Sequence, residues 1–129
     1  MELYVRENYL KKIRPFYHDC ELIKVLTGIR RCGKSTILNM IKNELLTAGI
    51  SKEQLIDINL DKRGFRSIKT PDELEKKIDE LSCDSERNYL FIDEIQNVDG
   101  FEEVINAFRE EGNYSIFISG SNSYLLAEI

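Results

Sequence analysis

The apolar residues of the chain follow two different spacings, and the changes between them predict four strands and three helices. Short apolar runs rich in β-branched and aromatic residues predict strands over residues 22–27, 55–60, 88–92 and 114–119. Between these runs, apolar residues recur every three to four positions, as on the buried face of a helix. Those positions are Ile37, Leu38, Ile41, Leu45 and Ala48, then Leu74, Ile78 and Leu81, then Phe101, Val104, Ile105 and Phe108. Strands that alternate with helices favour right-handed βαβ units around a mainly parallel sheet, which is the α/β class.

Helical segments are also predicted near both ends of the sequence. Residues 1–19 are expected to form an N-terminal helical segment, which Pro15 limits because proline lacks a backbone N–H. Its apolar positions are Leu3, Tyr4, Leu10, Ile13 and Phe16. Residues 124–129 are expected to begin another helix.

Capping residues place the boundaries of the helices. Thr70 is predicted to cap the second helix, with Pro71 at its first position and Glu73 as the partner in a capping box. Asp99 is predicted to cap the third helix, with Glu102 three residues later. The predicted helix ends are Gly49 and Gly112.

Composition describes an acidic, globular chain and excludes several classes of protein. The 129 residues carry a net charge of −5 and are 42% hydrophobic, which fits a single domain spanning residues 1–129. No apolar run exceeds four residues, so no membrane span is expected. The three cysteines have no disulfide or zinc spacing, and the first residues do not resemble a secretory signal. These features predict a reduced, cytoplasmic location.

The loop after the first predicted strand carries the clearest chemical signal. Residues 28–35 match G-x-x-x-x-G-K-[ST], between a strand and a helix. The glycines allow successive backbone N–H groups to face phosphate oxygens, and the helix N-terminus adds further N–H groups. Lys34 would reach the β and γ phosphates, while Ser35 would ligate Mg²⁺. The predicted nucleotide-binding residues are Gly28, Ile29, Arg30, Arg31, Cys32, Gly33, Lys34, Ser35 and Thr36.

A pair of carboxylates follows the third predicted strand. Asp93 and Glu94 come directly after four apolar residues, and the carboxyl edge of a parallel sheet is where ligands bind in this class. Asp93 is expected to hold Mg²⁺, and Glu94 to orient and deprotonate the water that attacks the γ phosphate. The strand at 55–60 lies between the two motifs in sequence, which indicates an additional strand between the loop strand and the carboxylate strand.

Three segments together resemble a prokaryotic family of predicted AAA+-type ATPases: residues 28–36, Phe91-Ile92-Asp93-Glu94-Ile95-Gln96 and Ser119-Gly120-Ser121-Asn122-Ser123. The resemblance implies a three-layer αβα P-loop NTPase core with strand order 5-1-4-3-2, of the class with an additional strand and a catalytic glutamate. It also implies that Asp93 and Glu94 are the Walker B pair. Ser121 or Asn122 would then be the sensor 1 residue, and Asn122 is favoured because its amide both donates and accepts. ATP and Mg²⁺ are the implied cofactors.

Members of that family are usually much longer than this chain. Strand 5, a helical lid and a C-terminal domain are missing after sensor 1, so the chain is expected to be an N-terminal, incomplete ATPase domain. A homo-oligomer, and a protein or DNA client bound through the missing region, are the candidate partners besides ATP and ADP.

Three alternatives to an ATPase remain open from the sequence. One is a nucleotide-binding switch that does not hydrolyse and needs the missing segments or a neighbouring subunit for catalysis. A GTPase is disfavoured because the chain has no Asn-Lys-x-Asp motif. A small-molecule kinase is weaker still, because no acceptor pocket or lid arginine can be identified.

Overall fold

Four parallel strands and three long α-helices form the main elements of the described part of the chain, which also contains helical residues 10–13 and short 3₁₀ turns. The computed structural model describes residues 10–26, 31–84 and 87–120, and of residues 31–35 the backbone alone. The strands are β1 (Ile23–Leu26), β2 (Leu55–Asn59), β3 (Asn88–Asp93) and β4 (Tyr114–Ser119). The helices are α1 (Arg31–Thr47), α2 (Pro71–Leu81) and α3 (Phe101–Glu111). Each of these elements lies within a few residues of its predicted position.

The strands pair in the order β1-β4-β3-β2, and every pair is parallel. This arrangement confirms the α/β class and the order implied by the resemblance for strands 1 to 4. Although β2 lies between β1 and β3 in sequence, it pairs on the outer side of β3. The strand that separates β1 from β3 in space is therefore β4.

Two apolar cores cover the two faces of the sheet. Because neighbouring strand residues point to opposite faces, Leu90 and Ile92 of β3 join the core beneath α2 and α3. Tyr89 and Phe91 join the other core, which contains the apolar face of α1. There the ring of Phe91 stacks on that of Phe117 in β4, with centroids 4.7 Å apart. All residues of β3 and β4 are buried, so these two strands form the centre of a three-layer structure.

The predicted cap of α2 is confirmed, whereas that of α3 is wrong. Thr70 Oγ1 accepts a hydrogen bond from the Glu73 N–H at 3.2 Å, and the Glu73 carboxylate accepts from the Thr70 N–H at 3.1 Å. The N-cap of α3 is Gly100, in the left-handed region at φ 80°, with no side-chain cap. Asp99 is therefore displaced one residue outside the helix that it was expected to cap. Gly49 and Gly112 follow α1 and α3 with positive φ, as predicted.

The N-terminal helical segment departs from the predicted pattern at Pro15. Residues 10–13 are helical, and Arg14–Phe16 form a 3₁₀ turn. The tighter turn changes which side chains face inward, so Tyr17 is buried and Phe16 is 38% exposed. Leu81, the last residue of α2, is likewise 41% exposed rather than part of the buried stripe. The predictions for residues 1–9 and 124–129 lie outside the described residues.

Candidate functional site

Polar residues end three neighbouring strands at the same edge of the sheet. Asn59 ends β2, Asp93 ends β3 and Ser119 ends β4. Asn59 pairs with Asp93 in the register of β2 and β3. Because the strands are parallel, this is the carboxyl edge, where α/β proteins bind their ligands. β1 ends at the same edge with Leu26, and α1 begins five residues later at Arg31.

The Asp93 carboxylate is buried and held from both sides. Only 5% of the residue is exposed. Its Oδ1 accepts a hydrogen bond from Ser119 Oγ, and its Oδ2 accepts a long hydrogen bond of 3.4 Å from Asn59 Nδ2. The Asp93 carbonyl accepts from the N–H of Leu60 at 3.1 Å, which extends the pairing of β2 and β3 past their ends. Both neighbouring strands therefore fix this side chain.

Glu94 lies at the same edge in an unusual backbone conformation. It is the one non-glycine residue of the described ranges with positive φ, at φ 60° and ψ 50°. That conformation costs an ordinary residue about 1–2 kcal/mol and is found most often at functional sites. The Glu94 N–H donates to Ser119 Oγ at 3.3 Å, and the Glu94 Oε1 accepts from Gln96 Nε2 at 2.8 Å. Only 8% of Glu94 is exposed. Backbone and side chain are thus both restrained.

A cavity of about 200 Å³ opens beside Asp93, between α1 and β2. Its wall is mostly polar, and it contains an ion pair between Lys42 and Asp57. The lining residues are Leu38, Asn39, Lys42, Asp57, Asn59, Lys62, Phe65 and Asp93. Carboxylate and amide oxygens of this kind are the hard ligands that Mg²⁺ prefers.

A family model described as an AAA domain matches residues 21–129, which is most of the sequence. The chain belongs to the AAA domain family. Curated relatives include an uncharacterized protein of Haemophilus influenzae, 37% identical over 123 residues that cover 95% of this chain and 30% of the relative. An uncharacterized protein of Methanocaldococcus jannaschii is 34% identical over 129 residues, 92% of this chain and 26% of the relative. No solved structure matches the chain.

Membership of the AAA domain family indicates a nucleotide-binding, ATPase-like function, in agreement with the loop at residues 28–35. The four-stranded parallel sheet flanked by helices is consistent with a P-loop NTPase core. The AAA domain spans less than a third of the length of the two relatives. None of the helices in the described ranges is long and apolar enough to cross a bilayer.

The structure describes part of the predicted site of this AAA domain. The backbone of residues 31–36, with Cys32, Gly33, Lys34 and Ser35, forms the first turns of α1. The first backbone N–H groups of an α-helix have no hydrogen-bond acceptor within the helix. Thr36 is half-buried. Gly28, Ile29 and Arg30, the side chains of residues 31–35, and Ser121 and Asn122 lie outside what is described.

Ser119 and Asn59 contact Asp93 from the two neighbouring strands. No role was predicted for Asn59, and Ser119 was named only as part of the segment 119–123. Both are polar residues at the carboxyl end of a predicted strand, as Asp93 is. That shared position could have predicted their contact with Asp93. The strand order implied by the resemblance places the ends of strands 2 and 4 on either side of strand 3. Gln96, which donates to the Glu94 carboxylate, lies in the segment 91–96 that carries the resemblance, but no role was predicted for it.

Proposed function

We propose that this AAA domain binds ATP with Mg²⁺ at the carboxyl edge of its sheet and hydrolyses it to ADP and phosphate. One observation carries the proposal: Asp93 and Glu94 lie buried and restrained at the edge where β1 leads into the N-terminus of α1. The loop that joins β1 to α1 has the phosphate-binding sequence. A phosphate-binding turn and carboxylates at the same sheet edge are among the parts that P-loop enzymes use to hydrolyse a nucleoside triphosphate.

Residues 28–36 have the binding role in this proposal. Backbone N–H groups of the loop and of the first turn of α1 cradle the phosphates, with Lys34 as the cation beside the β and γ phosphates. Ser35 and Asp93 supply the oxygens that hold Mg²⁺. When bound, Mg²⁺ neutralises charge on the phosphate oxygens. The described residues contain no cluster of three His, Cys, Asp or Glu side chains that could hold a metal.

Glu94 is the proposed base. Its buried carboxylate accepts a proton from the attacking water, and Asn122 orients that water or contacts the γ phosphate. The hydrogen bond from Gln96 keeps the carboxylate in one position before the water is engaged. Preorganised groups of this kind lower the barrier because they do not have to reorient during the reaction.

We propose further that residues 1–129 form one domain of a larger ATPase. Within the described residues, β1 pairs with β4 on one side, and the other side of β1 faces an apolar cavity of about 610 Å³. The resemblance places strand 5 at that edge. The proposed partners besides ATP and ADP are a second copy of the chain, and a protein or DNA client bound through a C-terminal region outside residues 1–129.

A non-hydrolysing nucleotide switch is the second candidate. The contact that favours it is again Gln96, because its amide already occupies one oxygen of the carboxylate that must act as the base. In such a switch, Gln96 would release Glu94 only in response to a segment or subunit outside the chain.

Phosphate release from Mg²⁺-ATP tests the two candidates. We expect steady turnover by the chain and a loss of about a hundredfold or more in Glu94→Gln, since a positioned base contributes about 10²–10⁴. Glu103→Gln, an exposed glutamate on α3, is the matched control and is expected to leave the rate unchanged. Equal rates for the chain and Glu94→Gln, with ATP bound by both, would favour the switch. Faster turnover with GTP than with ATP would contradict the choice of nucleotide.

A further inference from the structure

The hydroxyl of Ser119 lies between the two acidic residues of the site. Ser119 is the last residue of β4 and is fully buried, at 0% exposure. Its Oγ donates to Asp93 Oδ1 and accepts from the backbone N–H of Glu94 at 3.3 Å. A serine hydroxyl has a single proton to donate, so the bond to Asp93 fixes its orientation and leaves its lone pairs for the Glu94 amide.

Ser115, a second buried serine on β4, has structural contacts only and serves as a comparison. Ser115 is also 0% exposed, and its Oγ donates to the Tyr17 carbonyl at 2.6 Å and accepts from Lys24 Nζ at 3.0 Å. Those partners tie β4 to β1 and to the N-terminal segment. Both partners of Ser119, in contrast, are the residues proposed to hold the metal and to deprotonate water. The two serines lie on the same strand and are equally buried, but they contact different residues.

We propose that Ser119 is a positioning residue for ATP hydrolysis, and that its single hydroxyl sets the placement of Asp93 and Glu94 relative to each other. The inference rests on the proposed function. By donating to Oδ1, the hydroxyl holds the Asp93 carboxylate in the orientation in which Oδ2 accepts from Asn59 Nδ2, and Asp93 lines the adjoining cavity. By accepting the Glu94 N–H, it satisfies a buried donor of a residue in the left-handed conformation. Removing the hydroxyl takes away one of the hydrogen bonds that hold the Asp93 carboxylate and leaves the Glu94 N–H without the acceptor that it has in the structure.

The geometric half of the proposal is tested without nucleotide by amide hydrogen exchange at Glu94. We expect the Glu94 N–H to exchange at least about tenfold faster in Ser119→Ala than in the unmodified chain, because the variant lacks the acceptor. Ser119→Thr keeps a hydroxyl and is expected to keep the protection. Equal exchange in all three proteins would overturn the proposal. If the alanine variant does not fold, Ser119→Cys, with a similar shape and a weaker donor, makes the same comparison.

The functional half is tested by the Mg²⁺ dependence of ATP turnover. We expect Ser119→Ala to lower kcat about tenfold and to raise the Mg²⁺ concentration for half-maximal rate severalfold, with the KM for ATP changed less than about twofold. Ser119→Thr is expected to restore most of kcat. Ser115→Ala is the matched control, expected to reduce stability while leaving kcat and the Mg²⁺ dependence unchanged.

Two outcomes separate a failure of this proposal from a failure of the proposed function. If the unmodified chain turns over ATP and Ser119→Ala matches it, or if Ser115→Ala loses as much, Ser119 has no positioning role. If the unmodified chain binds ATP without turnover, the Mg²⁺ dependence of ATP binding is measured in place of the rate. A severalfold higher Mg²⁺ requirement for binding in Ser119→Ala then supports the positioning of Asp93. If no ATP is bound at all, the proposed function fails, and the positioning role fails with it.

Discussion

Lys24 is a charged residue in the interior of β1, with 6% of its surface exposed. Its Nζ donates to the carbonyl of Asp19 and to Ser115 Oγ at 3.0 Å, and it lies 4.7 Å from the centre of the Phe117 ring. Burial lowers the pKa of Lys24 from 10.5 to about 8, and the nearby Asp19 and Cys20 only partly oppose this effect. The charged form of Lys24 therefore destabilises the folded chain, by an amount that depends on pH.

Replacing Lys24 tests this cost. Between pH 8 and 10.5 the unfolded chain binds more protons at Lys24 than the folded chain does, so its contribution to stability rises with pH. Relative to that of Lys24→Met, the free energy of unfolding of the unmodified chain should rise by roughly 2 kcal/mol between pH 8 and 10.5. Urea unfolding at several pH values measures this difference. Burial raises the pKa values of Tyr17 and Tyr114, which lowers stability at high pH in both proteins and cancels in the difference. A difference that stays constant with pH would contradict the assignment.

At the scale of the residue, the placement of Asp93 and Glu94 at the carboxyl edge of the sheet was predictable. Two carboxylates after an apolar run stand out in the sequence because the chain also carries the loop motif at residues 28–35. Ser119 is a common residue in an apolar strand, and what distinguishes it is its hydrogen bond to Asp93 on the neighbouring strand. Such a contact depends on the register of β3 and β4, which hydrophobic spacing alone does not determine.

The ends of the helices are formed in different ways. α2 begins with a side-chain capping box, whereas α3 begins at a glycine and has Glu102 and Glu103 in its first turn, where their charge favours the helix dipole. The capping box was predictable because its four-residue pattern is local. The start of α3 was not, because Gly100 takes a left-handed conformation against Pro71 at the start of α2. α3 therefore begins without a side-chain cap, at a glycine that lies close to Pro71.

The end of α3 gives a prediction at the scale of an element. Gly112 has φ +83°, and a Cβ added there would meet no atom within 4 Å, so the cost of Gly112→Ala is conformational alone. We expect the substitution to destabilise the chain by about 1 kcal/mol in urea unfolding. Gly64→Ala, also in open space but without a positive φ, is the matched control and should be neutral or slightly stabilising. Equal effects at both positions would show that Gly112 does not need its conformation.

At the scale of the whole molecule, the central strands β3 and β4 connect the hydrophobic core with the candidate site. Their buried residues fill both faces of the sheet, and their last residues, Asp93 and Ser119, form the polar edge. The order β1-β4-β3-β2 places one strand, β4, between β1 and the strand that carries Asp93. The alternation of strands and helices predicts the layers, while the order came from the resemblance, because spacing along the chain does not specify which strands pair.

The proposed function depends on residues 28–36 binding the phosphates of ATP. The most direct measurement is the change in Tm with Mg²⁺-ATP for the chain and for Lys34→Ala, with Lys76→Ala, an exposed lysine of α2, as the matched control. ATP at a hundred times its Kd should stabilise the chain by about 2.7 kcal/mol and raise Tm by several degrees. We expect that shift in the unmodified chain and in Lys76→Ala, and its loss in Lys34→Ala. An unchanged Tm with both ATP and ADP, or an equal shift in Lys34→Ala, would contradict phosphate binding by this loop.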